Sequence, residues 1–112
     1  MHELSLCEAI AATVSRHAGE RAATCVVVRI GHLRQAVPAT LSFCWTMLTD
    51  GTDLAGCALE IEQVPAVIRC RDCGTESTLE VPLMLCSSCT SDDVELLSGQ
   101  EFLVASVDLV EA

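Results

Sequence analysis

Cys70 and Cys73 are separated by two residues, and after twelve more residues Cys86 and Cys89 repeat the same separation. A Cys-x-x-Cys turn lets two sulfurs grip one ion from a tight loop, and two such turns complete a tetrahedron with metal–sulfur bonds of about 2.3 Å. Gly74, just past the first pair, suits a turn through a conformation that glycine adopts cheaply. Four thiolates leave no open coordination position, so the expected chemistry is that of a structural zinc site. Rubredoxin-like iron is the rival, since thiolates accept both ions. A thioredoxin-like redox pair is disfavoured because neither motif opens a helix after a strand.

A second constellation is Met1, His2 and Glu3, which combine an α-amine, an imidazole and a carboxylate. Amine, imidazole and deprotonated backbone amide nitrogens can surround an ion in a plane, and square-planar nitrogen ligation points to Ni(II) or Cu(II). The plainer alternative is a frayed terminus with a solvated histidine. Histidine is too large for the usual removal of the initiator methionine, so His2 is expected to stay second. His17 is expected to sit as a favourable charge at a helix C-terminus. His32 is expected in a solvated loop, from which it could lend a ligand. Cys7, Cys25, Cys44 and Cys57 lie in apolar stripes or strands and read as small core residues. No nucleophile–base pair, glycine-rich phosphate loop or open zinc position stands out, so the chain does not read as an enzyme.

The elements that must position these groups follow from the apolar spacing. Leu4, Cys7, Ile10, Ala11, Val14 and Ala18 recur every three or four residues and predict a helix over 5–18 that ends at Gly19. The β-branched run 24–30 predicts a well-covered strand. Pro38 suits the first position of a second helix, with Leu41, Cys44, Trp45 and Leu48 on its inner face and Asp50-Gly51 as its stop. Residues 57–63 alternate as a half-exposed strand, and 101–110 return to strand composition and are expected to pair back into the same sheet. Residues 68–90, with both cysteine pairs, read as an inserted ribbon with little from which to build a core. The expected fold is α+β: a three-stranded sheet with two helices over 1–66 and 99–112, interrupted by a four-cysteine zinc ribbon over 67–98.

Composition excludes several functions. Six arginines, no lysine and sixteen acids give 112 residues a formal net charge of −10, a surface that repels phosphate and disfavours nucleic acids and anionic membranes. Phe43, Trp45 and Phe102 are the only aromatic residues, so no platform for stacking bases is expected. The longest uncharged stretch, 35–49, has 15 residues and contains Pro38, short of the roughly 20 apolar residues a spanning helix needs. Acids near the start, where a secretory signal carries lysine or arginine, lead to a cytoplasmic expectation.

Met-His-Glu-Leu-Ser-Leu at the start, Val-Val-Val-Arg-Ile-Gly-His-Leu at 26–33, Gly-Thr-Asp-Leu-Ala-Gly-Cys-Ala-Leu-Glu-Ile-Glu at 51–62 and the paired Cys-x-x-Cys motifs together resemble the HypA/HybF hydrogenase maturation proteins over essentially the whole chain. The resemblance implies a nickel metallochaperone that works with a HypB-type GTPase to load nickel into the large subunit of [NiFe] hydrogenase, with urease served by some relatives. It further implies that Met1, His2 and Glu3 hold the nickel cargo and that Cys70, Cys73, Cys86 and Cys89 hold structural zinc, in a monomer or homodimer. Two departures stand out. No histidine occurs between 69 and 90, which puts a histidine-for-cysteine exchange at the zinc site in doubt, and the loop 34–40 contains no acid. The alternative to the carrier is a zinc-ribbon interaction or regulatory module without a metal cargo, and an iron electron-transfer protein comes third.

Overall fold

The computed structural model describes residues 2–110. The elements in chain order are α1 (His2–Ala18), β1 (Ala23–Gly31), a short 3-10 turn (His32–Arg34), α2 (Pro38–Thr49), β2 (Ala58–Val64), β3 (Ala66–Cys70), β4 (Glu76–Leu79), β5 (Val94–Ser98) and β6 (Phe102–Leu109). They form two three-stranded sheets, ordered β2-β1-β6 and β4-β3-β5. The chain divides into two compact units, the second comprising Ile30–Gln35 and Gln63–Phe102.

In the first unit, α1 buries Leu6, Cys7, Ile10, Val14 and Ala18, and Gly19 at φ +60° lets its amide bond Ser15 and end the helix. α1 begins at His2, three residues before the start that the apolar spacing predicts. Residues 2–5 lie largely off the buried stripe, and Leu4 is 40% exposed, so periodicity carries no signal there. What holds the first turn is tertiary: the Glu3 carboxylate accepts the Val37 amide at 3.2 Å. One turn on, the Cys7 thiol donates to the Leu41 carbonyl at 3.4 Å. Both contacts join residues 34 apart in sequence, so α1 and α2 lie side by side and run the same way.

Pro38 opens α2 as expected, with Leu41 and Trp45 buried and Cys44 and Leu48 half-buried. Trp45 donates its indole N–H to the Cys57 carbonyl at 2.8 Å, which satisfies the one polar atom of the largest buried side chain. β1 is the central strand, with Val26 and Val28 fully buried, as a continuous apolar run requires. β2 alternates as expected, and β6 returns to pair beside β1. Cys7 and Cys57 are buried and Cys25 and Cys44 half-buried, and burial pushes the Cys7 thiol up to about 11.

In the second unit, β3 pairs antiparallel with both β4 and β5, with a bulge at Val67/Ile68 on the β5 side. This segment has more core than its small polar composition suggests. Ala66, Ile68 and Leu79 form a buried cluster, and Leu33, Val94 and Leu96 pack against it. The Gly31 amide bonds the Glu101 carbonyl at 2.7 Å, and the Leu33 amide bonds that of Gly99 at 2.9 Å. Gly31 has an ordinary φ of −70°, so its requirement is space. A Cβ there would lie 2.0 Å from the Gly99 carbonyl oxygen.

Gly31→Ala is therefore expected to destabilise the protein by about 2–3 kcal/mol, measured as a shift in denaturant midpoint at unchanged slope. A shift under about 0.5 kcal/mol, the range of ordinary surface changes, would contradict this packing.

Candidate metal centre

The two cysteine pairs are built alike. In the first, the Cys73 amide points at the Cys70 sulfur at 3.4 Å, the Gly74 amide bonds the Cys70 carbonyl at 2.9 Å, and the Cys70 amide bonds the Thr75 carbonyl at 2.9 Å. In the second, the Ser88 amide points at the Cys86 sulfur at 3.4 Å, the Thr90 amide bonds the Cys86 carbonyl at 3.0 Å, and the Cys86 amide bonds the Ser91 carbonyl at 2.9 Å. Both turns pass through the left-handed region at the residue after the second cysteine, Gly74 at φ +77° and Thr90 at φ +62°. Glycine meets that demand readily and threonine does so against steric resistance. Thr90 is the feature that composition hides, although its offset, identical to that of Gly74, marks the position.

These turns bring the four thiols together. Their sulfurs all lie within 4.8 Å of one another, with Cys70–Cys89 and Cys73–Cys86 both at 3.6 Å. A tetrahedral ion with bonds of about 2.3 Å has sulfur–sulfur edges of about 3.8 Å, so the cluster fits one such ion with little adjustment. Cys70 and Cys86 are buried, and Cys73 and Cys89 are exposed. Hydrogen bonding from Thr75 holds the Cys73 thiol down at about 6. Cys89, despite a backbone hydrogen bond from Ser91, is pushed up to about 12, with the Cys70 thiol the leading cause. The metal-free cluster thus keeps protons that a dication must displace.

Around the cluster, Ser91 donates to the Asp72 carboxylate, Ser77 of β4 and Ser87 of the second turn share a hydrogen bond of 2.7 Å, and Arg71 pairs with Asp93 at 3.0 Å. Among the described residues, no other group of three or more histidine, cysteine and carboxylate ligand atoms gathers this closely.

The other expected metal residues lie in the first unit. His2 is exposed in the first turn of α1. Glu3 follows it, and the Val37 amide on its carboxylate, more than any other influence, lowers its pKa. Met1 lies outside the described residues. His17 is exposed in the last turn of α1, and His32 belongs to the second unit with its Nε2 3.3 Å from the Glu80 carbonyl. The bond from Val37 to Glu3 has no signature in local sequence, because it joins elements 34 residues apart.

Residues 1–109 match the family described as HypA, hydrogenase/urease nickel incorporation, metallochaperone. The chain is 36% identical over 111 residues to the hydrogenase maturation factor HypA of Trichodesmium erythraeum strain IMS101, covering 99% of this chain and 97% of that protein. It is 37% identical over 109 residues to the same-named factor of Geotalea uraniireducens strain Rf4, covering 97% and 99%. In fold it is similar to the solution structure of the nickel metallochaperone HypA from Helicobacter pylori, with a TM-score of 0.67, 20% identity and all of both chains covered.

Cys86→Ala removes one of the cluster's two buried thiols, and is expected to abolish stoichiometric metal retention there and to collapse amide-exchange protection across β3, β4 and β5. Retention of one tightly held ion per chain by that variant, read by elemental analysis after exposure to a chelator, would contradict a site made of these four thiols.

Proposed function

This chain belongs to the HypA family of hydrogenase/urease nickel-incorporation metallochaperones, and from that premise we propose that it binds Ni(II) through Met1, His2 and Glu3 and delivers it for maturation of a [NiFe] hydrogenase. The observation that carries the reading is the placement of an exposed His2 as the first residue of α1. The leading N–H groups of a helix have no acceptor within the helix. A backbone amide that loses its proton at the positive end of a helix dipole is favoured there. An α-amine, an imidazole and such amide nitrogens make a planar donor set suited to Ni(II).

Glu3 fits a supporting place in this scheme. Its carboxylate, engaged by Val37 across to α2, sets the angle of the first turn, and its negative charge offsets the cation. Few protein ligands and an exposed position permit ligand exchange, which a carrier needs and a closed cage resists.

The four-cysteine cluster serves differently. Zinc is the ion we assign to Cys70, Cys73, Cys86 and Cys89, because four thiolates at tetrahedral spacing leave no position for substrate. Bound zinc supplies folding energy to a small unit. The protein is then a carrier rather than a catalyst: nickel passes by ligand substitution to a HypB-type GTPase or to the hydrogenase large subunit. A cytoplasmic site of action fits that handover, and no helix among the described residues is long and apolar enough to cross a membrane.

His2→Ala is expected to weaken Ni(II) binding by about a hundredfold or more in calorimetric titration of untagged protein, with zinc content and helix content unchanged. Extending the chain before Met1 is expected to weaken it too, since the α-amine becomes an amide. Wild-type nickel affinity in either protein would overturn amino-terminal ligation.

A further inference from the structure

In the second unit, one short loop turns four aliphatic side chains to solvent: Val81 is 60% exposed, Leu83 58%, and Met84 and Leu85 36% each. They stand outside the core cluster around Ile68, and residues 81–91 contain no acidic or basic side chain. The loop is held in shape. Pro82 restricts its own φ, the Leu83 amide bonds the Val81 carbonyl at 2.7 Å, and the Leu85 amide bonds that of Leu83 at 2.9 Å. Its ends are pinned as well, by the approach of His32 to the Glu80 carbonyl at 3.3 Å and by Cys86 in the thiol cluster.

A contiguous apolar patch kept exposed by its own backbone and anchors marks an interaction surface, unlike scattered single side chains. Charge then selects the partner. The unit has seven carboxylates against three arginines, and Arg69 and Arg71 are engaged by Glu76 at 2.9 Å and Asp93 at 3.0 Å. A metal held by four thiolates makes it more negative still.

We infer that the 81–85 loop is a docking surface for a different protein, one that offers an apolar pocket rimmed by arginine or lysine. A second copy of this chain is the wrong occupant, because two molecules of formal charge −10 meet with like signs. Closing the loop through Cys86 makes the surface depend on the metal cluster, which gives the ribbon a purpose independent of the nickel assignment.

The test uses untagged, metal-loaded full-length protein as wild type, Leu83→Asp and Leu83→Ser, with the purified HypB-type GTPase and the nickel-free hydrogenase large-subunit precursor as probes. One probe is expected to bind the wild type with an affinity that falls as salt is raised. Both variants are expected to lose about tenfold or more of that affinity, with metal content, melting temperature and nickel affinity retained; Leu83→Ser decides if Leu83→Asp misfolds. Equal affinity of wild type and Leu83→Ser, salt-independent binding, or binding to neither probe would overturn the inference. So would a wild-type dimer in sedimentation that Leu83→Ser converts to monomer, since the occupant would then be a second copy.

Discussion

Four thiols crowded within 4.8 Å of one another cannot all ionise unless a cation lies among them. Like charges at such spacing push protons back onto sulfur, and hydrogen bonding within the cluster already separates its members: Thr75 holds Cys73 down at about 6, while Cys89, despite the Ser91 backbone bond, is pushed up to about 12 by its hydrogen bond with Cys70. The second unit is organised around that constraint. β3 ends at Cys70, inside the cluster, and the Gly74 and Thr90 turns aim sulfurs inward. The core beyond it is slight, three buried residues with Leu33, Val94 and Leu96 against them. The cluster and this small core therefore share the work of holding the second unit.

The first unit is held by ordinary means. Two helices running the same way bury Ile10, Val14, Leu41 and Trp45, and burial of each such side chain is worth about 2 kcal/mol. Its unusual feature is the start of α1, where Glu3, next to His2, is held by the bond from the Val37 amide. In the proposed scheme, soft thiolates retain their ion while an exposed imidazole and amine release theirs, so the retained and the transported metal would not compete for one donor set.

Much of this plan can be read from residue order, and the exceptions have a common cause. Paired cysteine turns, Pro38 at the head of α2, Gly19 and Gly51 as helix stops, and the alternation of β2 are local patterns, and each has a counterpart in the structure. The start of α1 at His2, the Glu3–Val37 bond, the packing of Leu33 on Ile68 and its neighbours, and the space Gly31 needs beside Gly99 all depend on residues distant in sequence. Periodicity cannot register them. Thr90 is a different case, a position whose demand is local but whose residue type disguises it.

The central claim is that nickel and zinc occupy chemically distinct sites in one chain. X-ray absorption at both metal edges, on untagged protein loaded with one equivalent of each ion, examines it most directly. The expected result is a nickel shell of nitrogen and oxygen without sulfur, and a zinc shell of four sulfurs at about 2.3 Å. Sulfur in the nickel shell, or nitrogen and oxygen in place of sulfur around zinc, would contradict it.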